Sequence, residues 1–168
     1  MQLRDYQTKA ISDLRSSFKQ GNKSPLLVMP TGSGKTVVFA QISKTLELNK
    51  KNVLILVHRK ELVDQASNKL EYVDVFHGII ASGYKGKTNN IQVASVQTLV
   101  RRLESINYKP DYIIIDEAHH AAAGTWQKII NYYKDTFKIG CTATPERLDG
   151  KGLGDYFDDM VLGPDTAT

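Results

Sequence analysis

A chain of 168 residues suits one domain with a single sizeable core and is short for two. No apolar run approaches the roughly 18 residues of a membrane-spanning helix, and Cys141, the single cysteine, excludes an intrachain disulfide. The formal charge of +4, from 22 Lys+Arg against 18 Asp+Glu, is compatible with a polyanionic partner but too mild to require one.

In chain order, apolar residues at Leu3, Tyr6, Ala10, Leu14 and Phe18 keep close to helical period, and Gly21 with Asn22 supplies a stop. Leu26–Met29 reads as a short buried strand, Lys35–Leu48 as a helix, and Val53–Val57 as a second strand. Lys60–Tyr72 carries Leu62, Ala66 and Leu70 at helical spacing. Ser82–Asn90, rich in Gly, Lys and Asn, reads as a loop, and its Lys85-Gly86-Lys87 as solvated. Ile91–Ala94 is a further strand, followed by a helix through Leu99 and Leu103. Tyr112–Ile115 is the clearest buried strand, and Phe137–Cys141 reads as the last. Apolar strands separated by helices predict an α/β fold with a mostly parallel sheet covered on both faces. Residues 1–154 read as the domain and 155–168 as a tail or linker. Trp126, Phe76 and His77 read as packing residues, and Cys141 as a buried small hydrophobe. The opening, Met1–Tyr6, lacks the apolar stretch of a signal peptide, so the expectation is a cytoplasmic protein with no membrane partner.

Two segments carry chemistry. Met29-Pro30-Thr31-Gly32-Ser33-Gly34-Lys35-Thr36 follows a buried strand and opens a helix, the context that a phosphate loop requires. Gly32 and Gly34, flanking Ser33, let backbone N–H groups converge on phosphate oxygens, and the helix directs its positive end to the same place. Lys35 would reach the β- and γ-phosphates of ATP, and the Thr36 hydroxyl would ligate Mg²⁺. The general phosphate-loop pattern has Gly where Met29 stands; at a strand end an apolar side chain is acceptable. In the second segment, Ile113–Ile115 delivers Asp116 and Glu117 at a strand end, where α/β sheets bind ligands. Asp116 would hold Mg²⁺ through its water shell, and Glu117 would polarise the attacking water. A Gly-rich turn and a solvated strand end are the alternatives for the two segments taken singly.

Asp116-Glu117-Ala118-His119 is similar to the DEAH form of motif II in superfamily 2 helicases. With His120-Ala121 it resembles the subgroup of XPB-like helicases and restriction-enzyme translocase subunits. Leu3–Gln7 resembles the adenine-reading segment before motif I, and Pro30-Thr31-Gly32 fits helicase motif I. Val57–Gln65 resembles motif Ia, Ala94–Leu99 a later motif of the same domain, and Cys141–Gly150 motif III with its subgroup extension. The resemblance runs from Leu3 to about Gly154 and implies the first, RecA-like P-loop NTPase domain of such an enzyme. It assigns Gln7 and Arg4 to the adenine, Arg59 and Thr98 to nucleic-acid phosphates, and His119, Thr142 and Thr144 to coupling hydrolysis with movement. Each assignment has chemical sense: the Gln7 amide both donates and accepts, and the Arg4 guanidinium can lie on a base. His58 and Lys60 read as structural or solvated. Adjacent His119 and His120 point apart, which argues against a metal role.

The resemblance implies ATP hydrolysis that drives movement on nucleic acid, DNA in preference to RNA. It also implies a partner, a second RecA-like domain of the same polypeptide that carries the arginine finger. Without that domain, poor turnover is the expectation. Two other classes compete: a nucleotide-dependent binding module without useful turnover, against which Glu117 argues, and a P-loop phosphotransferase, which would need an acceptor-binding lid.

Overall fold

The computed structural model describes residues 3–30, 34–58, 60–87, 89–116, 118, 124–143 and 156–163. The elements are α1 (Asp5–Lys19), β1 (Pro25–Val28), α2 (Lys35–Leu48), β2 (Val53–Val57), α3 (Lys60–Tyr72), β3 (Gly78–Ile80), β4 (Ile91–Ser95), α4 (Val96–Arg102), β5 (Tyr112–Asp116), α5 (Gly124–Tyr132), β6 (Phe137–Thr142) and β7 (Asp159–Leu162). The seven strands form one sheet in the order β3-β4-β2-β5-β6-β1-β7. Every pairing in it is parallel.

Side chains alternate across a strand, so each apolar run divides between two layers. Leu27, Val53, Ile55, Val57 and Ile114 pack against Ala10 and Leu14 of α1, Val38 and Phe39 of α2, and Val63, Ala66 and Leu70 of α3. Their neighbours Leu26, Val28, Leu54, Leu56, Ile113 and Ile115 face Leu99 of α4 and Trp126, Ile129 and Ile130 of α5. Both faces of the sheet are therefore dry, which is why its strands are apolar at every position rather than at every second one. The helix after β1 lies on one face and the helix after β5 on the other. The two strands thus feed helices on opposite faces, and it is at the C-terminal ends of such strands that α/β sheets bind ligands.

Three elements depart from the sequence reading. β3 has only three residues and rests on β4, too short a run to give a period. Helix α5 was legible in principle, since Trp126, Ile129, Ile130 and Tyr133 recur at helical spacing. β6 is not the last strand: Asp159–Leu162, within the segment read as a tail, pairs along the whole of β1. It is tied there by the Asp158 carboxylate, which accepts the backbone N–H groups of Lys23 (2.7 Å) and Ser24 (3.0 Å). Trp126 is buried as expected, whereas Phe76 is 82% exposed and packs little. The His77 ring bridges Ser67 Oγ (2.6 Å) and the Val75 carbonyl (2.9 Å), in keeping with a structural role. Ser82–Asn90 forms no helix or strand among its described residues. It is fastened by the buried Gln92 amide, which donates to the Lys87 and Asn89 carbonyls at 2.8 and 3.1 Å.

Candidate functional site

At the C-terminal edge of the sheet, β1 ends beside β6, and Met29 donates its N–H to the Thr142 carbonyl (2.9 Å). The Met29 side chain is buried in the α1–α3 core, so the position that departs from the general phosphate-loop pattern is a packing position. Gly34 then caps α2 with φ +81°, ψ 37°, the left-handed region that glycine enters without steric cost. A side chain there would also collide with Gln7, whose Nε2 stands 2.4 Å from where a Cβ would be.

Gln7 is thereby built into the loop. Its Oε1 accepts the backbone N–H of Arg4 (2.9 Å), fixing the first turn of α1, and its Nε2 donates to the Gly34 carbonyl (3.4 Å). Arg4 lies at the exposed N-cap of α1, with Nη1 donating to the Tyr6 hydroxyl (3.2 Å). The predicted adenine-reading pair therefore stands beside the loop through Gln7, while Arg4 occupies the outer end of the same turn.

Lys35 opens α2, and its ammonium lies 2.9 Å from Oδ1 of Asp116, the last residue of β5. β6 lies between β1 and β5, so this ion pair bridges over an intervening strand. Asp116 is 4% exposed, and its register partner on β6 is Cys141. The pairing offsets the burial of both groups, since either charge alone would carry a large desolvation cost. Thr36 sits half-buried in the first turn of α2. Cys141 is fully buried; burial first, and the neighbouring Asp116 second, push its thiol up to about 12. Thr142, also buried, ends β6 opposite Val28 of β1.

Among the described residues there is no cluster of three or more His, Cys, Asp or Glu side chains that could hold a metal. Asp116 and Thr36 are the predicted ligands in the described part of the site. Thr31, Gly32, Ser33, Arg59, Glu117, His119 and Thr144 lie outside the described residues.

Next to this site, at the ends of β2 and β4, is a cleft of about 450 Å³ lined by His58, Lys60, Ser82, Gln97, Thr98 and Arg101, among others. Thr98 reaches it from the first turn of α4 but is only 4% exposed. Lys60, read from sequence as structural or solvated, is exposed and also lines the cleft. A larger cavity of about 730 Å³, with Tyr108, Tyr112 and Phe137 in its wall, opens at the opposite edge, where β5 and β6 begin. Its size outranks its chemistry, because the loop, the ion pair and the basic cleft all lie at the other edge.

The family model for the res subunit of type III restriction enzymes matches residues 1–147. The chain belongs to this family. The chain is 36% identical over 179 residues to the putative ATP-dependent helicase IRC3 of Saccharomyces cerevisiae, with 95% of this chain and 26% of that protein covered. It is 32% identical over 152 residues to the DNA 3'-5' translocase XPB2 of Sulfurisphaera tokodaii, covering 90% of this chain and 33% of that one. The chain thus spans a quarter to a third of the length of these relatives. The crystal structure of the UvsW helicase from bacteriophage T4 superposes with a TM-score of 0.77 at 19% identity, over 96% of this chain and 60% of that one. The fold is the RecA-like one that the sequence reading predicts. No helix among the described residues is long and apolar enough to cross a membrane.

Proposed function

We propose that the chain is the ATP-binding domain of a nucleic-acid-dependent ATPase, a DNA helicase or translocase that hydrolyses ATP to ADP and phosphate. The observation that carries this reading is the Lys35–Asp116 pair, 2.9 Å apart, between the start of α2 and the end of β5 and beside the left-handed Gly34. The two side chains carry the opposite charges that a magnesium nucleotide presents: an ammonium for phosphate oxygens, a carboxylate for the metal's water shell. Thr36 and Asp116 would hold Mg²⁺, which neutralises phosphate charge when bound. Lys35 would exchange Asp116 for the β- and γ-phosphates, and Gln7, with Arg4 outside it, would take the adenine. The N–H groups of Thr31, Gly32, Ser33 and Gly34 would cradle the phosphates, and Glu117 would orient the attacking water. Arg59 and Thr98 would meet nucleic-acid phosphates in the adjacent cleft, and His119, Thr142 and Thr144 would link hydrolysis to movement. The names of the relatives, an ATP-dependent helicase and a DNA translocase, support DNA as the track.

The chain's share of those relatives leaves room for a second RecA-like domain. We assign to it the arginine finger, a group that contributes about 10³–10⁵ to the rate of phosphoryl transfer. Turnover of ATP with Mg²⁺ and DNA tests the assignment. The 168-residue chain should hydrolyse slowly, and restoring the second domain in the same polypeptide should raise the rate by about 10³–10⁵. Brisk DNA-stimulated turnover by the chain alone would overturn it.

A further inference from the structure

Among the described residues, two Lys–Asp pairs stand four apart on a helix, in the same order, with different outcomes. In α1, Lys9 and Asp13 join in an ion pair of 2.9 Å, as residues four apart on a helix face can. In α3, Lys60 and Asp64 stand in the same relation, yet among the described residues no ion pair joins them. The difference is Tyr84, from the turn after β3. Its hydroxyl donates to Asp64 Oδ1, and its ring lies under the Lys60 ammonium, 5.8 Å from Nζ to the centroid.

The turn that brings Tyr84 there is well defined. Tyr84 donates its N–H to the Ala81 carbonyl (3.2 Å), and Gly83 adopts φ +88°. A Cβ at Gly83 would stand 3.7 Å from Lys60 Nζ, so the lysine side chain crosses the turn closely. Lys60 and Ser82 both line the cleft that holds Thr98, with Arg101 also in its wall. Glu61 lies there too, but as the next residue on the helix it does not face Lys60.

We infer that Tyr84 is a positioning residue of the nucleic-acid cleft: by engaging Asp64 it keeps Lys60 directed to the cleft, where the ammonium neutralises one phosphate of the bound strand. This rests on the proposed DNA-binding role of the cleft and adds to it a cation and the device that aims it. Removing the Tyr84 hydroxyl releases Asp64 to pair with Lys60 as Asp13 pairs with Lys9, and the cleft loses that charge.

The test is the salt dependence of affinity for a short mixed-sequence DNA duplex, measured on the full chain. Each phosphate neutralised contributes about 0.9 to the slope of log affinity against log salt. Tyr84→Phe keeps the ring and should flatten the slope by up to about 0.9, as Lys60→Met should. In the Lys60→Met background, Tyr84→Phe should add nothing. Tyr84→Phe combined with Asp64→Asn should recover the wild-type slope, because the competing carboxylate is gone. A purely structural role for Tyr84 would not be rescued by Asp64→Asn. An unchanged slope in Tyr84→Phe, or additive losses with Lys60→Met, overturns the inference while leaving the DNA-binding role intact. A wild-type chain with no salt-dependent duplex binding overturns both.

Discussion

Gly34 carries two constraints, a left-handed backbone and the close approach of Gln7 Nε2. The first was readable from the Gly-Lys-Thr pattern; the second joins residues 27 positions apart and needed the fold. The same division runs through the site. Lys35 and Asp116 were each recognisable from local context, but the 2.9 Å bond between them depends on how β1 and β5 flank β6. Cys141 gives this scale a test. Its thiol is raised from 9.0 to about 12, with burial as the main cause and Asp116 as the second. The folded chain therefore keeps a proton that the unfolded chain releases above its ordinary value. The associated stability is fully present below pH 9.0 and declines as pH rises from there to about 12. Denaturant titrations at about pH 7 and about pH 10 should show wild type losing roughly 1 kcal/mol more than Cys141→Ala between the two. Equal losses would mean that the thiol is not held protonated by the fold.

Among the elements, the long apolar runs were legible because length and period agree: α2, β2 and α3 begin and end where the sequence reading put them. The elements it lacked are those whose stability comes from partners. β7 is held by β1 and by the Asp158 carboxylate, neither of which leaves a periodic trace in residues 159–162. The C-terminal end of α5 depends on Lys138, a buried residue of β6. Its ammonium donates to the carbonyls of Tyr133 (3.1 Å) and Thr136 (2.8 Å), just beyond the helix. Burial lowers its pKa because desolvation disfavours the ammonium, and the carbonyls are the partners that offset this cost. Lys138→Met keeps the aliphatic stem but leaves the carbonyls without their donor, so chemical denaturation should report a loss of about 1–3 kcal/mol. A stability equal to wild type would show that water replaces the ammonium at no cost.

For the molecule as a whole, the parallel sheet sorts its residues by chemistry. Apolar side chains fill both layers, and the loop, the ion pair and the basic cleft gather at one edge. This concentration follows from parallel pairing, which brings every strand's C-terminal end to the same side. That edge is legible in the motifs, whereas the approach of the Lys60 ammonium to the Tyr84 ring joins α3 to the turn after β3 and needed the fold. The central claim is that Lys35 and Asp116 are poised for a magnesium nucleotide. Titration calorimetry of ATP with Mg²⁺ into wild type and into Lys35→Ala, each verified as folded by its far-ultraviolet spectrum, tests it most directly. The account predicts measurable binding by wild type and about 10- to 100-fold weaker binding by the variant, the worth of hydrogen bonds to charged groups. Equal affinity in a folded Lys35→Ala chain would contradict it.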